Sequence, residues 1–247
     1  MSNSATIEKI KEMKLYGMQK AFELCMETST ANDFTKDEFI AYLIEAEYNE
    51  RQTRKMKRLI HSARFRYGAE IEQIHYSPSR GLDKNQLLRL ADGSFLKKRE
   101  NIIITGPTGV GKSYIASALG HQACIYGYKV IYYNTAKLFS MLKMCKADGS
   151  YIKQINRIEK QDLLILEDFG LQPLDEPGKL ALLEIIEDRH GKRSTIITSQ
   201  IPVNKWYELL DNQTIADAIL DRIVHTAHRI ELKGESMRKI KNSIEKK

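Results

Sequence analysis

The chain has 247 residues, of which 42% are hydrophobic and 29% are charged, and its formal net charge is +7. This balance is typical of a folded, water-soluble protein and excludes a disordered chain. The surplus positive charge favours a polyanionic partner. Because the sequence has no signal core and no run of about 18 apolar residues, we expect no membrane contact and a cytoplasmic location. The cysteines Cys25, Cys124 and Cys145 are expected to be reduced thiols.

Residues 1–74 are predicted to form a small all-α domain that binds DNA or a partner. They contain no proline and are rich in helix-forming residues. A first helix is expected over 7–27, with a bend near Gly17. Thr35 and Glu38 have the spacing of a capping box, which predicts that the next helix begins at Lys36 and runs into the mid-sixties.

The second half of that helix carries many basic residues, and the sequence has no acid between Arg51 and Arg66. Like charges repel one another on a helix, and a row of phosphates would relieve the repulsion. We therefore predict contact with duplex DNA that is largely independent of its sequence; the alternative is a solvated basic helix. The predicted DNA-binding residues are Arg51, Arg54, Lys55, Arg58, Arg64 and Arg66.

Residues 75–99 are expected to be a connector, since they contain Pro78, Gly81 and Gly93. Residues 100–247 then alternate between apolar runs and helical patterns, which predicts an α/β fold with a parallel sheet covered by helices on both faces. The predicted strands are 101–105, 129–133, 163–167 and 195–199, with a short edge strand at 229–232. The helices between them are expected at 113–126, 136–145 and 177–190.

The segment GPTGVGKS, which follows the first predicted strand, is a complete P-loop. Its backbone N–H groups suit phosphate oxygens, Lys112 would reach the β- and γ-phosphates, and the Ser113 hydroxyl would bind Mg²⁺. ATP and Mg²⁺ are therefore the expected cofactors; the alternative is a glycine-rich turn that binds nothing. The predicted nucleotide-binding residues are Gly106, Pro107, Thr108, Gly109, Val110, Gly111, Lys112, Ser113, Tyr114 and Arg238.

Two acids, Glu167 and Asp168, end an apolar run that is typical of a buried strand. Ligands sit at the carboxyl ends of such strands, so both acids are expected to face the P-loop. We expect Glu167 to lie on the metal side and Asp168 to activate water, although the usual order is Asp then Glu and the two roles stay open. The alternative is a pair of ordinary solvated acids.

The run TIITSQ after these acids predicts a further strand between the P-loop strand and the acidic strand, as in additional-strand ATPases. At its end either Ser199 or Gln200 would contact the γ-phosphate, unless the residue only shapes the loop. Arg222 is expected near the end of a later helix. It could stabilise transition-state charge at a neighbouring subunit, or it could be a plain surface arginine.

Taken in order, these motifs resemble the IstB family, the AAA+ helper ATPases of bacterial insertion-sequence transposition. The resemblance covers nearly the whole chain and adds YGM at 16–18, LLILEDFG at 163–170, ILDR at 219–222 and GESMRK at 234–239. It implies a P-loop ATPase whose ATP sites lie at subunit interfaces of a homo-oligomer. A full lid domain, which many AAA+ proteins have, is not expected here, since only about 25 residues follow Arg222. The resemblance also implies assembly on duplex DNA, deformation of that DNA, regulation of a partner transposase, and disassembly on hydrolysis.

The same resemblance assigns ATP·Mg²⁺ binding to Lys112 and Ser113, hydrolysis to Glu167 and Asp168, and the trans-acting position to Arg222. Two other functions stay open on the sequence. One is a DnaC-like loader of a replicative helicase, and the other is a nucleotide-dependent scaffold that does not hydrolyse ATP.

Overall fold

The computed structural model describes residues 3–28, 34–76 and 80–237. Its internal contacts divide the chain into two units, Met1–Arg58 and Leu59–Lys247. The expected boundary after residue 74 therefore falls inside the second unit. The reason is that Ala63, Ala69 and Ile71 are buried in the core of that unit. Arg238, which was expected near the nucleotide, lies outside the described residues.

The first unit contains helix α1 (Asn3–Glu12), helix α2 (Tyr16–Glu27) and most of helix α3 (Lys36–Ala63). The expected single helix over 7–27 is wrong. The helix is interrupted at Lys14, which adopts a φ of 58°. The capping box is confirmed: the Thr35 backbone N–H donates to the Glu38 carboxylate at 2.8 Å, and the Glu38 N–H donates to the Thr35 hydroxyl at 3.3 Å.

A buried glutamate of α3 binds the free backbone N–H groups at the start of α2. The Glu47 carboxylate accepts from the backbone N–H groups of Gly17 at 2.8 Å and Met18 at 3.3 Å. These donors belong to the first turn of α2, where no helical carbonyl can satisfy them. A Cβ at Gly17 would lie 2.3 Å from the carbonyl oxygen of Ala46, so only glycine allows the two backbones to approach this closely.

The second unit is built on a five-stranded parallel sheet in the order β2-β3-β4-β1-β5. Strand β4 lies between β1 and β3, as the sequence predicted for an additional-strand ATPase. The strands are β1 (Asn101–Thr105), β2 (Val130–Asn134), β3 (Leu163–Phe169), β4 (Ser194–Ser199) and β5 (Ala227–Glu231). The helices are α4 (Lys84–Ala91), α5 (Ser94–Lys98), α6 (Lys112–Ile125), α7 (Thr135–Ala147), α8 (Tyr151–Glu159), α9 (Glu176–Arg189), α10 (Trp206–Leu210) and α11 (Gln213–Val224).

Successive side chains of each strand enter opposite cores, one on each face of the sheet. Ile102 and Ile104 of β1 pack in the core that contains α4, α5 and α6, whereas Ile103 packs in the core formed by α7 to α11. The predicted α/β fold with helices on both faces is therefore confirmed. Within the described residues, no helix is both long enough and apolar enough to cross a membrane.

The segment 75–99, which was expected to be a connector, contains helices α4 and α5 in its described part. Leu87 and Phe95 are 0% and 1% exposed, so this segment belongs to the core of the second unit. The helices are short, and Gly93 separates them in a left-handed conformation with a φ of 78°. Helix α8 was also missed by the sequence analysis.

We expect Gly17→Ala to lower the free energy of unfolding of the first unit by about 1–3 kcal/mol, because the added methyl group overpacks the contact with α3. This loss opposes the gain in helix propensity of up to about 1 kcal/mol that alanine normally brings. Urea unfolding followed by circular dichroism measures the difference. Gly68→Ala is the matched control, since a Cβ there meets nothing within 4 Å. Equal midpoints for the two variants would contradict the close approach.

Candidate functional site

The P-loop connects β1 to α6, and segments that follow much later in the sequence fix its backbone. The Gly106 N–H donates to the carbonyl oxygen of Ser199 at 3.3 Å, and the Met237 N–H donates to that of Gly109 at 2.9 Å. Gly106 has a φ of 145°, and a Cβ there would lie 2.3 Å from the carbonyl oxygen of Leu232. The loop is thus shaped jointly by β4 and by the chain that follows β5.

A cavity of about 520 Å³ lies against this loop, and its size suits a nucleotide-sized ligand. Eight residues that the sequence predicted to bind nucleotide or to serve hydrolysis line this cavity together. These residues are Thr108, Gly109, Gly111, Lys112, Ser113, Tyr114, Asp168 and Gln200. Gly106 and Pro107 contact the site through their carbonyl oxygens, which accept hydrogen bonds from Lys112.

Lys112 is a buried cation. Among the described residues, no carboxylate forms an ion pair with it. Its side-chain Nζ donates to the carbonyl oxygens of Gly106 at 2.7 Å and Pro107 at 2.8 Å. Burial lowers the pKa of Lys112, while the negative charges of Asp168 and Glu167 act in the opposite direction. An ammonium group held by two carbonyls in this way can exchange those bonds for charged phosphate oxygens.

Arg66, which was predicted to contact DNA, lines this cavity and pairs with the acids of β3. Its Nη1 donates to Oε1 of Glu167 at 2.7 Å and lies 3.8 Å from Oδ2 of Asp168. The Glu167 side chain is 2% exposed, and a carboxylate buried this deeply requires a cationic partner. The same interaction raises the pKa of Arg66.

Asp168 reaches the cavity because the backbone of β3 changes direction at this residue. Its φ is 57°, a left-handed conformation that aspartate tolerates better than most residues do. The pairing of β3 with β4 shifts its register between Leu166 and Phe169. The Asn134 amide donates to Asp168 at 3.3 Å. The cavity therefore contains Asp168 itself, whereas Glu167 is connected to it through Arg66.

The described residues hold no group of three or more His, Cys, Asp or Glu side chains that could bind a metal ion by themselves. A divalent cation at this site would depend on Ser113, on one or both of Glu167 and Asp168, and on oxygens of the ligand. Mg²⁺ commonly binds in this way, through one or two carboxylates together with substrate phosphates. The donors present near Lys112 therefore fit ATP·Mg²⁺.

Ser199 and Gln200 lie in different environments. Ser199 is fully buried, and its hydroxyl donates to the Phe169 carbonyl at 2.7 Å and accepts from the Ile201 N–H at 3.0 Å. Gln200 lines the cavity, where its Oε1 accepts a hydrogen bond from the Thr108 hydroxyl at 2.7 Å. Of the two, only Gln200 is in a position to contact a ligand in the P-loop cavity.

Arg222 lies near the end of α11, as expected, but it is absent from the residues that line the P-loop cavity. Its guanidinium donates to the Ala218 carbonyl at 2.7 Å and pairs with Glu187 at 3.1 Å. Nothing in this arrangement brings Arg222 to the nucleotide site of its own chain.

The basic face of α3 is partly neutralised by acids that precede the run counted in the sequence. Arg51 donates to Glu47 at 2.7 Å, and Arg54 lies 3.5 Å from Glu47. Arg54 also lies 3.6 Å from Glu50. The expectation of an uncompensated row is therefore wrong for these two arginines. Lys55 and Arg58 are exposed, and so is Arg64, which directly follows α3.

The cavity also contains residues that were not predicted. Most come from the segment after α3, namely Tyr67, Gln73, Ile74, His75 and Arg80, and the others are Ile115 and Met237. Arg80 is 8% exposed and donates to the Val110 carbonyl at 2.7 Å and to the His75 carbonyl. The Tyr114 hydroxyl donates to Gln73 at 2.9 Å. No motif marked these residues: those up to Ile74 were assigned to the all-α domain, and His75 and Arg80 to the connector.

The sequence is similar to one protein family and to several of its members. Residues 8–245 match the protein family described as IstB-like ATP binding protein. An insertion sequence ATP-binding protein of Sinorhizobium fredii is 43% identical over 95% of this chain and 96% of its own length. The ATP-binding protein of insertion sequence IS21 from Pseudomonas aeruginosa is 28% identical over 93% and 86%.

Solved structures with similar folds include AAA+ proteins of replication. The crystal structure of the DnaC helicase loader has a TM-score of 0.55 and 20% identity, over 68% of this chain and 98% of that chain. AMPPCP-bound DnaA from Aquifex aeolicus has a TM-score of 0.59 and 19% identity, over 74% and 57%. At these identities the likeness concerns the fold alone.

We expect Arg66→Gln and Glu167→Gln to be energetically coupled by about 1–2 kcal/mol, because each removes one partner of the same ion pair. The value is moderate since the Arg66 side chain is 45% exposed. A double-mutant cycle on urea unfolding without nucleotide measures this coupling. Arg64→Gln with Glu167→Gln is the control cycle and should show no coupling. A coupling near zero for Arg66 would exclude the pair.

Proposed function

The chain belongs to the family of IstB-like ATP binding proteins, and we propose that it is an ATP-dependent DNA-binding helper of transposition. In this role it would hydrolyse ATP, assemble on duplex target DNA in the cytoplasm, deform that DNA and regulate a partner transposase. The observation that carries the proposal is the cavity in which Lys112, Asp168 and Gln200 meet at the P-loop.

The P-loop side of the cavity would bind the triphosphate. Backbone N–H groups at the start of α6 lie at the positive end of the helix dipole, which favours anions. Lys112 would exchange the carbonyls of Gly106 and Pro107 for β- and γ-phosphate oxygens. These interactions would hold the phosphates near the loop and the acids of β3.

The acids would serve hydrolysis. Mg²⁺, when bound, neutralises charge on the phosphates and on the leaving group. Ser113 and Glu167 would hold the ion, and Glu167 would have to release Arg66 to do so. Asp168 would orient the attacking water and accept its proton while the bond between the γ-phosphorus and the bridging oxygen breaks, which yields ADP and phosphate.

Two further residues complete this proposed ATPase site. Gln200 would contact the γ-phosphate, as its place beside Thr108 supports. Arg222 would act on the nucleotide of a neighbouring subunit, since it does not line the cavity of its own chain. ATP would then join subunits into a homo-oligomer, and hydrolysis would release them from one another.

The proposed DNA contact on α3 is best supported for Lys55 and Arg58, which are exposed. Arg64 extends this contact at the end of the helix. Contact through these side chains would involve phosphates and would not read bases.

A second candidate is a helicase loader, which the fold similarity to DnaC favours. A helicase loader would differ from a transposition helper in the nucleic acid that it prefers and in its protein partner. A preference for single strands over duplex, together with capture of a replicative helicase, would favour the loader. Duplex-dependent assembly with ATP would favour the transposition helper.

Lys112→Ala is expected to weaken ATP binding about 100-fold or more and to abolish ATP-dependent assembly. Loss of two charge-assisted hydrogen bonds accounts for an effect of this size. Titration with a fluorescent ATP analogue and sedimentation with duplex DNA measure the two effects. Lys153→Ala removes an exposed lysine on α8 and is the control. Unchanged affinity in Lys112→Ala would refute the assigned P-loop function.

Asp168→Asn tests hydrolysis separately from binding. We expect phosphate release to fall about 100-fold or more, since the amide cannot accept a proton from water, while ATP affinity stays within a few-fold of the unaltered protein. Steady-state phosphate release with saturating duplex and ATP is the measurement. Equal and negligible rates for both proteins would instead support a scaffold that does not hydrolyse ATP.

A further inference from the structure

One basic residue of the P-loop cavity has no function in the proposed ATPase site. The cations Arg66, Arg80 and Lys112 line the cavity, and among its described lining residues Asp168 is the one acid. Arg66 pairs with Glu167, and Lys112 is assigned to the β- and γ-phosphates. Arg80 therefore remains as a cation that the mechanism does not use.

Arg80 is buried without a counter-charge in the described part of the chain. It is 8% exposed, and none of the ion pairs between described residues involves it. Burial lowers the pKa of Arg80, but a guanidinium keeps its proton in proteins, so the positive charge stays in the cavity. Burying a charge costs free energy unless the charge is paired. An anionic ligand would supply the missing partner.

The hydrogen bonds of Arg80 are incomplete. Its Nη2 donates to the Val110 carbonyl at 2.7 Å, and its Nη1 donates to the His75 carbonyl. The Nε–H is buried and has no hydrogen-bond partner among the described residues. Both acceptors are neutral, and an arginine has five N–H donors. A buried donor without an acceptor is expected of a residue that completes its hydrogen bonds with a ligand, and guanidinium groups bind phosphate oxygens through two parallel bonds.

The guanidinium lies directly against the backbone that would bind the phosphates. A Cβ at Gly111 would lie 2.7 Å from Nη2 of Arg80. Gly111 caps the start of α6, with a φ of 100°, and Lys112 follows it as the first residue of the helix. Arg80 is therefore adjacent to the N–H groups that are proposed to hold the nucleotide.

The topology places Arg80 away from the residues that are proposed to act on the γ-phosphate. Strand β1, which leads into the P-loop, lies between β4 and β5. Asp168 and Gln200 are on the β3–β4 side, at or just after the ends of those strands. Arg80 is on the β5 side, where its carbonyl accepts from the N–H of Lys233 at 2.9 Å. The arginine thus approaches the cavity from the end opposite the γ-phosphate.

We propose that Arg80 is a further nucleotide-binding residue, whose guanidinium contacts the α-phosphate of the bound nucleotide. The inference rests on the proposed ATP-binding function of the P-loop cavity and adds one contact to it. ATP and ADP share the α-phosphate, so both nucleotides would use this contact to the same extent.

Arg80→Met tests the contact. Arg89→Met is the matched control, because Arg89 is an exposed arginine of α4 that does not line the cavity. Competition against a fluorescent ATP analogue gives Kd for ATP, for ADP and for the two diastereomers of ATPαS, in which sulfur replaces an α-phosphate oxygen. Arg80→Lys is a second variant, which keeps the charge but loses the planar fork. Circular dichroism with urea verifies that all three variants fold.

We expect Arg80→Met to raise Kd for ATP and ADP by the same factor, about 10- to 100-fold, because one charge-assisted contact is lost. Arg80→Lys should lie between this variant and the unaltered protein, and Arg89→Met should change Kd less than about twofold. Exchange of oxygen for sulfur should weaken binding of one diastereomer to the unaltered protein and matter less in Arg80→Met, as a thermodynamic cycle shows when two groups interact.

Unchanged Kd in both Arg80 variants would overturn the inference. A loss confined to ATP would also overturn it, since the contact would then be with the γ-phosphate. Equal discrimination against both ATPαS diastereomers in Arg80→Met and the unaltered protein would show that Arg80 only shapes the loop. If the unaltered protein bound neither ATP nor ADP, the proposed function would fail together with the inference.

Discussion

A carboxylate that is removed from water has to be balanced by positive charge, and Glu167 imposes this requirement on the ATPase unit. Its partner, Arg66, comes from the chain just after α3, about a hundred residues earlier in sequence. The neighbouring Phe65 packs so closely on α6 that a Cβ at Gly120 would lie 2.6 Å from its ring. One charge pair and one aromatic contact therefore bind this segment to the sheet, and the unit begins at Leu59.

The strands and the P-loop could be predicted because their signals are local. Buried parallel strands are continuous apolar runs, and β1 and β3 show this clearly in Ile102–Ile104 and Leu163–Leu166. The P-loop requires a fixed set of residues within eight positions. The capping box at Thr35 and Glu38 has the same local character. Each of these elements needs no information from distant parts of the chain.

The differences concern residues whose partners or burial the motifs do not show. Arg66 looks like one more cation after α3, and only the fold shows that Glu167 is its partner. Arg51 and Arg54 look uncompensated until Glu47 and Glu50, one turn earlier, are counted with them. Ser199 and Gln200 are adjacent polar residues. Ser199 is buried whereas Gln200 lines the cavity, and the sequence does not show this difference. Helices α4 and α5 are short and divided by a glycine, so their composition indicated a loop.

The position of β1 has a consequence for the synthesis of the protein. This strand is paired on both sides with strands that follow it, with Ile102 beside Ile196 and His228. Residues Leu232 and Met237 then bond to the backbone around the P-loop. A ribosome that has translated Ser113 has completed the phosphate-binding motif without the neighbours that shape it. We therefore expect nucleotide affinity to arise late, and products truncated before β5 to lack it although they contain the whole motif.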